Sequence, residues 1–509
     1  MGSPFVRPTL AIALVLLLAA CSNDALQPNA ALDIAGVSCE RRVNNTHAKL
    51  LECVTLEGVR AHQAAFQAIA DANGGTRVSG SPGYDASVAY AASVLESAGY
   101  DVTFQPFQFQ TFLTLAATVL EQVAPPPTGP IATSIFSYSG SGDVTAAVTV
   151  LTAPPADPTP GCDAADFAGF PAGNIALISR GACTFAMKAT NAYNAGAAAV
   201  VIFNDAPGTL SGTLGNGFTL DIPVTSVTQA VGQELTATPG LLLRLKTDTF
   251  RGLATAHNVL AESRFGDPAN VVMVGGHLDS VNAGPGINDN GSGAAAILET
   301  AVQMARVRAR NQVRFALWGA EESSLVGSTH YVNGLGNEDL AKIALYLNFD
   351  MIGSPNFVRF VYDGDDSDAV GAGPGPDGSA EIEAVFEAFY DARGLPYEGA
   401  DFSGRSDYGP FIAVGIPAGG VFTGAEGIKT PEEAALFGGT AGDPYDPCYH
   451  LACDTFDNVS LEVLEQNADA VAYATLRFAM NTSDVTGQRG KGNFRPDRDA
   501  PMEGHDLHR

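Results

Sequence analysis

The chain is 509 residues long, 46% apolar and only 16% charged, a balance that fits a folded chain with a large buried core and excludes a disordered one. Its formal charge of −28 argues against a nucleic-acid partner, which favours a basic surface, although acidity by itself names no substrate.

Near the N-terminus, Arg7 precedes the apolar run "LAIALVLLLAA". That run is too short to span a bilayer and is built like an export signal. "LAAC" at Leu18–Cys21 resembles the bacterial lipobox. This implies a signal peptide over 1–20, a lipid on Cys21 and a tether over 21–36, in a cell-envelope lipoprotein or a secreted protein. Cleavage after Ala20 without lipidation is the alternative. The membrane is then reached only through that lipid. Six cysteines remain, in an oxidising compartment: Cys39 and Cys53, Cys162 and Cys183, Cys448 and Cys453. Many connectivities are open to them, and bridging of nearest pairs is the simplest. A zinc–thiolate cluster is disfavoured, because no C-x-x-C spacing is present.

From 37 to 111 the pattern is helical, then extended. "VRAHQAAFQAIADANGG" and "SPGYDASVAYAASVLESAGY" carry apolar residues at helical spacing and end in glycine. "DVTFQPFQFQ" alternates as a half-buried strand does. At Phe112 the composition shifts to short β-like runs punctuated by proline and glycine, and this continues to Phe250. After residue 250, apolar strands alternate with helices as far as 482: "HNVLAES", "NVVMVGG", "GSGAAAILETAVQMARV", "QVRFALWG" and "KIALYLNFDMI" among them. Such alternation predicts an α/β fold, a mostly parallel central sheet sandwiched by helices. Residues 483–509 are polar and charge-rich, and are expected to be a disordered tail.

In an open parallel sheet, sites form at the carboxyl ends of the strands. "NVVMVGG" ends in His277 and leads through a glycine-rich loop to Asp289. "QVRFALWGA" ends in Glu321 and Glu322, and "IALYLNF" ends in Asp350. "YDPCYHLACD" adds His450 between two cysteines. Taken singly, each has a bland reading: Asp289 as the cap of the next helix, two adjacent acids as a solvated face. Together they make a metal site, because carboxylates after a fully apolar strand are costly to desolvate unless paired or metal-bound. Mixed nitrogen and oxygen ligands without thiolate suit zinc. Five ligands are too many for one tetrahedral ion and fit two ions sharing Asp289. Asp279 is the candidate acceptor that orients the His277 ring, and Glu321 the general base.

The stretches "GGHLDSVNAGPGINDNGSG", "LWGAEESSLVGSTHYV", "LNFDMIGSPN", "SGRSDYGPF", "VFTGAEGIKT" and "YDPCYHLACDTFDN" resemble the dizinc aminopeptidases of metallopeptidase clan MH, the group of aminopeptidase Y and the bacterial secreted leucine aminopeptidases. The "RG.C.F..K" pattern at Arg180, Gly181, Cys183, Phe185 and Lys188 resembles a protease-associated domain, inserted over 112–250 and stapled by Cys162–Cys183. The resemblance implies two zinc ions, one on His277 and Asp350, the other on Glu322 and His450, with Asp289 bridging. It implies Glu321 as base, Tyr449 as the hydrogen-bond donor to the tetrahedral intermediate, a Cys448–Cys453 bridge and a cis bond at Asp289–Asn290. The substrate is then a peptide with a free α-amine held by Glu321 and Asp350, with Arg405 near its carbonyl or carboxylate. Met351, Phe422 and Tyr449 line an apolar pocket, plain core packing being the alternative for Met351 and Phe422. Tyr408 departs from the histidine of several relatives ("SDH"). Glu465 and Asp469 offer half of a calcium site found in one relative, with Cys53–Val54 where its N-terminal acid stands, so calcium is not assigned. The sequence does not set the oligomeric state, a monomer being the default.

Three rival readings stay open. A carboxypeptidase of the glutamate carboxypeptidase type needs a basic cluster, and only Arg405 lies near the motifs. A glutaminyl cyclase uses one zinc, against five ligands here. An inactive receptor or scaffold on the same fold would have lost ligands or Glu321, and none is lost.

Overall fold

Long apolar runs without alternation read as strands buried on both faces, and the structure puts them at the centre of a large sheet. The computed structural model describes residues 1–2, 39–151, 157–208, 210, 212–369, 371 and 373–486. Residues 3–38, with the export signal and Cys21, lie outside the described residues. Strands Ala418–Phe422, Ile343–Phe349, Asp267–His277 and Asn311–Trp318 are parallel neighbours in that order. Leu242–Glu262 joins antiparallel beside Asn311–Trp318, and Phe360–Tyr362 antiparallel beside Ala418–Phe422. The sheet is thus parallel in the middle and antiparallel at its flanks.

Helices Leu56–Ala72, Pro82–Ala98, Gly291–Met304 and Leu461–Met480 bury Val59, Phe66, Tyr84, Leu298 and Val471 against one face. Trp318, Tyr331, Tyr346 and Phe411 form the core on the other, where the Trp318 indole donates to the Tyr346 hydroxyl at 2.8 Å. Local signals set the helix ends. Ser81 caps Pro82–Ala98, and Gly99 ends it at φ 96°, a left-handed conformation that glycine adopts without strain. Gly293 lets Gly291–Met304 sit against the sheet, since a Cβ there would stand 2.2 Å from the Phe349 carbonyl oxygen.

Asp101–Ala124 pairs antiparallel with Leu242–Glu262, from Asp101 opposite Glu262 to Ala124 opposite Leu242. One end of this ribbon belongs to the central sheet. The other pairs with Gly142–Val150 and so enters a second sheet with Ile175–Ser179, Ala199–Phe203 and Val224–Val227. That second unit has its own core, including Phe136, Ile178, Val200 and Ile202. The expected boundaries at 112 and 250 fall inside the ribbon, where Phe112 faces Arg251 and Leu113 faces Phe250. The cysteines bridge as nearest pairs: Cys39–Cys53, Cys162–Cys183 and Cys448–Cys453.

One expectation is corrected at the C-terminus. Within the expected tail, Ser483–Thr486 form a helical turn, with Val485 and Thr486 buried, and residues 487–509 lie outside the described residues. The Thr482 hydroxyl receives the Asn270 side-chain amide at 2.9 Å, and Thr482 is itself buried, so packing anchors this short polar stretch. Among the described residues no helix is long and apolar enough to cross a membrane.

Candidate active site

Three neighbouring parallel strands deliver their last residues to one edge, as topology requires of sites in open sheets. His277 ends Asp267–His277, Asp350 follows Ile343–Phe349, and Glu321 and Glu322 follow Asn311–Trp318. His450 reaches the same point at φ 56°, within the five-residue separation of the Cys448–Cys453 bridge. The predicted ligands therefore converge. His277 Nε2 lies 3.2 Å from Asp289 Oδ1 and 3.3 Å from Asp350 Oδ1. His450 Nε2 lies 3.2 Å from Asp289 Oδ2 and 3.0 Å from Glu322 Oε2. Two triads of ligand atoms share Asp289: His277–Asp289–Asp350 and Asp289–Glu322–His450.

The electrostatics suit a cation. Burial pushes the Glu321 carboxyl up, and the nearby acids Glu322, Asp350 and Asp407 push it further against the opposing His277. Burial, reinforced by Asp289, raises Glu322 to about 7. Burial would depress both imidazoles, but the carboxylates outweigh it: His277 is raised, chiefly by Asp350 and Glu321, and His450 goes to about 10 beside Glu322 and Asp289. Asp289 is lowered despite its burial, because it faces both histidines. Neither oxygen of the fully buried Glu321 accepts a hydrogen bond among the described residues. Buried carboxylates in excess of imidazoles, with unmade bonds, are what a bound metal satisfies.

Around this group the backbone is tied down. Asn290, not Asp289, caps the helix Gly291–Met304, its Oδ1 accepting the Gly293 N–H at 2.9 Å, so Asp289 keeps both oxygens for the histidines. The Asp289–Asn290 bond is cis. Asp454 accepts the N–H groups of Asn288 and Asp289 at 2.8 and 3.0 Å. Ser406 donates to Asp350 Oδ2 at 2.7 Å. Asp279 does approach His277 Nδ1, but its backbone carbonyl is nearer (3.2 Å) than its carboxylate (3.5 Å), and that carboxylate also receives the Glu321 N–H at 3.3 Å.

Beside the metal-ligand group opens a cavity of about 200 Å³, whose walls include Asp350, Met351, Tyr362, Arg405, Tyr408, Phe422 and Tyr449. All three predicted substrate contacts, Met351, Phe422 and Arg405, are thus at one place. The Tyr449 ring stacks on His450 with centroids 3.8 Å apart, and Arg405 stands 3.5 Å from its hydroxyl and 2.8 Å from Glu426 Oε1. Glu465 and Asp469 meet no third ligand residue among the described residues, and burial raises the Asp469 carboxyl to about 6.

The residues 258–475 match the profile of Peptidase family M28, and 144–235 that of the PA domain. An aminopeptidase of Pseudomonas aeruginosa is 47% identical over 86% of this chain and 83% of its own. The chain belongs to peptidase family M28. As an M28 enzyme it is a metallo-hydrolase carrying a PA domain. A Mycobacterium tuberculosis relative named "Probable lipoprotein aminopeptidase LpqL" is 43% identical over 85% of this chain and 87% of its own. A solved zinc aminopeptidase of Bacillus subtilis aligns at a TM-score of 0.64 and 26% identity, over 85% of this chain and 98% of that one.

Sequence reading missed Arg77, which holds the loop between His277 and Asp289 of this M28 peptidase. Fully buried, it donates to the carbonyls of Pro285 (2.8 Å), Gly286 (2.6 Å) and Leu278. Its only sequence trace is a cation in the loop "TRVSGSPG" with no acid nearby in the chain.

A further carboxylate group, Asp363, Asp365 and Glu383, shares no residue with these triads. Glu383 is 4% exposed and accepts the Gly364 N–H at 2.8 Å. Burial, with Asp363, Glu387 and Asp365 adding, pushes its carboxyl up to about 7. A pKa raised on folding favours the protonated form, so its stabilisation is complete below about pH 4.5 and is lost as pH rises through about 7. Glu383→Gln keeps the acceptor for Gly364. It is expected to melt above the wild type at pH 8 and close to it at pH 4.5, in melting curves recorded with chelator. Curves that coincide at both pH values would show that Glu383 ionises normally.

Proposed function

We propose that the chain is a dizinc aminopeptidase that hydrolyses the first peptide bond of peptides with a free α-amine, favouring an apolar N-terminal residue such as leucine. The observation that carries this reading is the division of Asp289, one oxygen facing His277 and the other His450. His277 and Asp350 would hold one zinc, Glu322 and His450 the other, with Asp289 shared. Bound there, the ions would polarise the scissile carbonyl and acidify water.

The chain's own residues do the rest. Glu321, buried and with its carboxyl pushed up, takes a proton from the attacking water and delivers it to the leaving amine as the C–N bond breaks. The Tyr449 hydroxyl donates to the developing oxyanion, with Arg405 beside it. Glu321 and Asp350 receive the substrate's α-ammonium. Met351, Tyr362 and Phe422 give the side-chain cavity its apolar wall. Arg405 is the one basic residue among the described lining residues, and it is engaged by Glu426, which does not favour an acidic C-terminal residue as substrate.

Hydrolysis of leucine p-nitroanilide, but not of its N-acetyl form, is expected, with loss on chelation and recovery with zinc. Chelation is also expected to lower the melting temperature, since a ligand that binds the native state stabilises it. Silence on both substrates with zinc bound would overturn the aminopeptidase reading. For export, the "LAAC" motif and the lipoprotein relative support a lipid on Cys21. The mass of the mature N-terminus tests it.

A further inference from the structure

Tyr408 is almost fully buried, at 1% exposure, in the wall of the side-chain cavity. Its ring meets Tyr362 and Phe402 edge-on, with centroids 4.8 and 5.1 Å away, so the ring is part of an aromatic floor. The hydroxyl serves a different purpose. It accepts the Gly404 N–H at 3.0 Å and stands 3.3 Å from Ser403 Oγ, which in turn receives the Arg405 N–H at 3.4 Å. One phenol oxygen thus folds Ser403, Gly404 and Arg405 into a single turn, with Gly404 at φ 79°.

That turn launches the Arg405 guanidinium toward Tyr449 (3.5 Å) and Glu426 (2.8 Å). The Arg405 and Glu426 side chains are 44% and 54% exposed. An ion pair so open to water fixes a long side chain weakly. The direction of Arg405 is therefore set also by the backbone it leaves from, and that backbone is held by the Tyr408 hydroxyl.

We propose that the Tyr408 hydroxyl is a positioning group for the hydrolysis: by holding the Ser403–Arg405 turn, it sets Arg405 against Tyr449 and aims the Tyr449 hydroxyl at the oxyanion. The inference rests on the aminopeptidase reading above. It separates two parts of one side chain. The ring shapes the cavity and governs which side chain fits. The hydroxyl acts on the rate, because small displacements of a transition-state donor cost turnover more than binding.

The test is a double-mutant cycle in the full-length zinc-loaded protein, with leucine and alanine p-nitroanilides. Tyr408→Phe is expected to lower kcat about tenfold, with KM, zinc content and the leucine-to-alanine preference unchanged. In a Tyr449→Phe background the same substitution is expected to change kcat less than about twofold, because the group it acts through is gone. Ser403→Ala, which leaves Tyr408 intact, is expected to give a smaller loss with the same dependence on Tyr449, and decides the matter if Tyr408→Phe does not fold. An equal loss in both backgrounds, a loss confined to KM or zinc content, or no loss in a folded variant overturns the proposal. If the wild type cleaves neither substrate, the aminopeptidase reading has failed. If it cleaves them and the cycle is additive, only the present inference has failed.

Discussion

Glu321→Gln is expected to lower kcat on leucine p-nitroanilide about a thousandfold while leaving zinc content and melting temperature near those of the wild type. The substitution keeps the shape of the side chain and removes its capacity to accept a proton. General-base catalysis contributes roughly 10²–10⁴ in rate, and the expected loss takes the middle of that range. Two features make the change selective. Glu321 also groups with His277 and Glu322, but it belongs to neither metal triad that contains Asp289; its oxygens accept no hydrogen bond among the described residues, and its contact with His277 Nε2 is 4.0 Å long. The site also loses a carboxyl whose ionisation its acidic neighbours oppose, so the fold is not weakened. Steady-state kinetics beside metal analysis check this. A variant with more than about a tenth of wild-type kcat would take the base role away from Glu321.

Arg77→Met is expected to destabilise the fold by about 3–5 kcal/mol, the scale for breaking one side of a buried charged interaction. Methionine fills much of the space but leaves the carbonyls of Leu278 and Pro285 without their buried donor, while that of Gly286 keeps the Gly291 N–H at 3.0 Å. Each orphaned buried group costs about 1–3 kcal/mol. The guanidinium also stands near Asp279, Asp454 and Asp289, which keep it charged although burial lowers its pKa to about 10. Removing it leaves those acids less balanced, which by itself would favour a cation, but it also frees the loop that positions Asp289, and the lost support is expected to outweigh the charge. Zinc affinity is expected to fall about 10–100-fold, as when the support of a metal ligand is lost. Denaturant unfolding and zinc titration measure the two effects. Wild-type stability together with wild-type zinc affinity would mean that the loop carrying Asp289 is held by other contacts.

The contrast between these two residues shows what could be read from the chain. Glu321, Glu322, Asp350 and His277 lie directly after apolar strands, and strand ends in a parallel sheet share an edge, so pattern and topology suffice to bring them together. Arg77 binds backbone carbonyls more than two hundred positions away in the chain, and a carbonyl is the same in every residue, so the partners carry no mark. Asp454 is hidden for the same reason, since it accepts main-chain N–H groups. The adjacent pair Asp289–Asn290 shows a finer limit: either residue type can cap a helix, and the structure assigns the cap to Asn290. The ribbon was half visible. "DVTFQPFQFQ" alternates as a strand should, but Leu115–Ala117 are exposed, so no burial pattern carries the strand on through Ala124.

That ribbon also bears on how so large an insertion can be accommodated. An excursion of the chain costs closure entropy in proportion to the logarithm of its length, unless its two ends are already neighbours. Here Leu113 and Phe250 face each other as a cross-strand pair, and the ladder continues outward, through register shifts, to Ala124 opposite Leu242, where Leu242–Thr247 also pairs with Gly142–Ala147. To the peptidase core, everything between those two residues is equivalent to the turn of a hairpin.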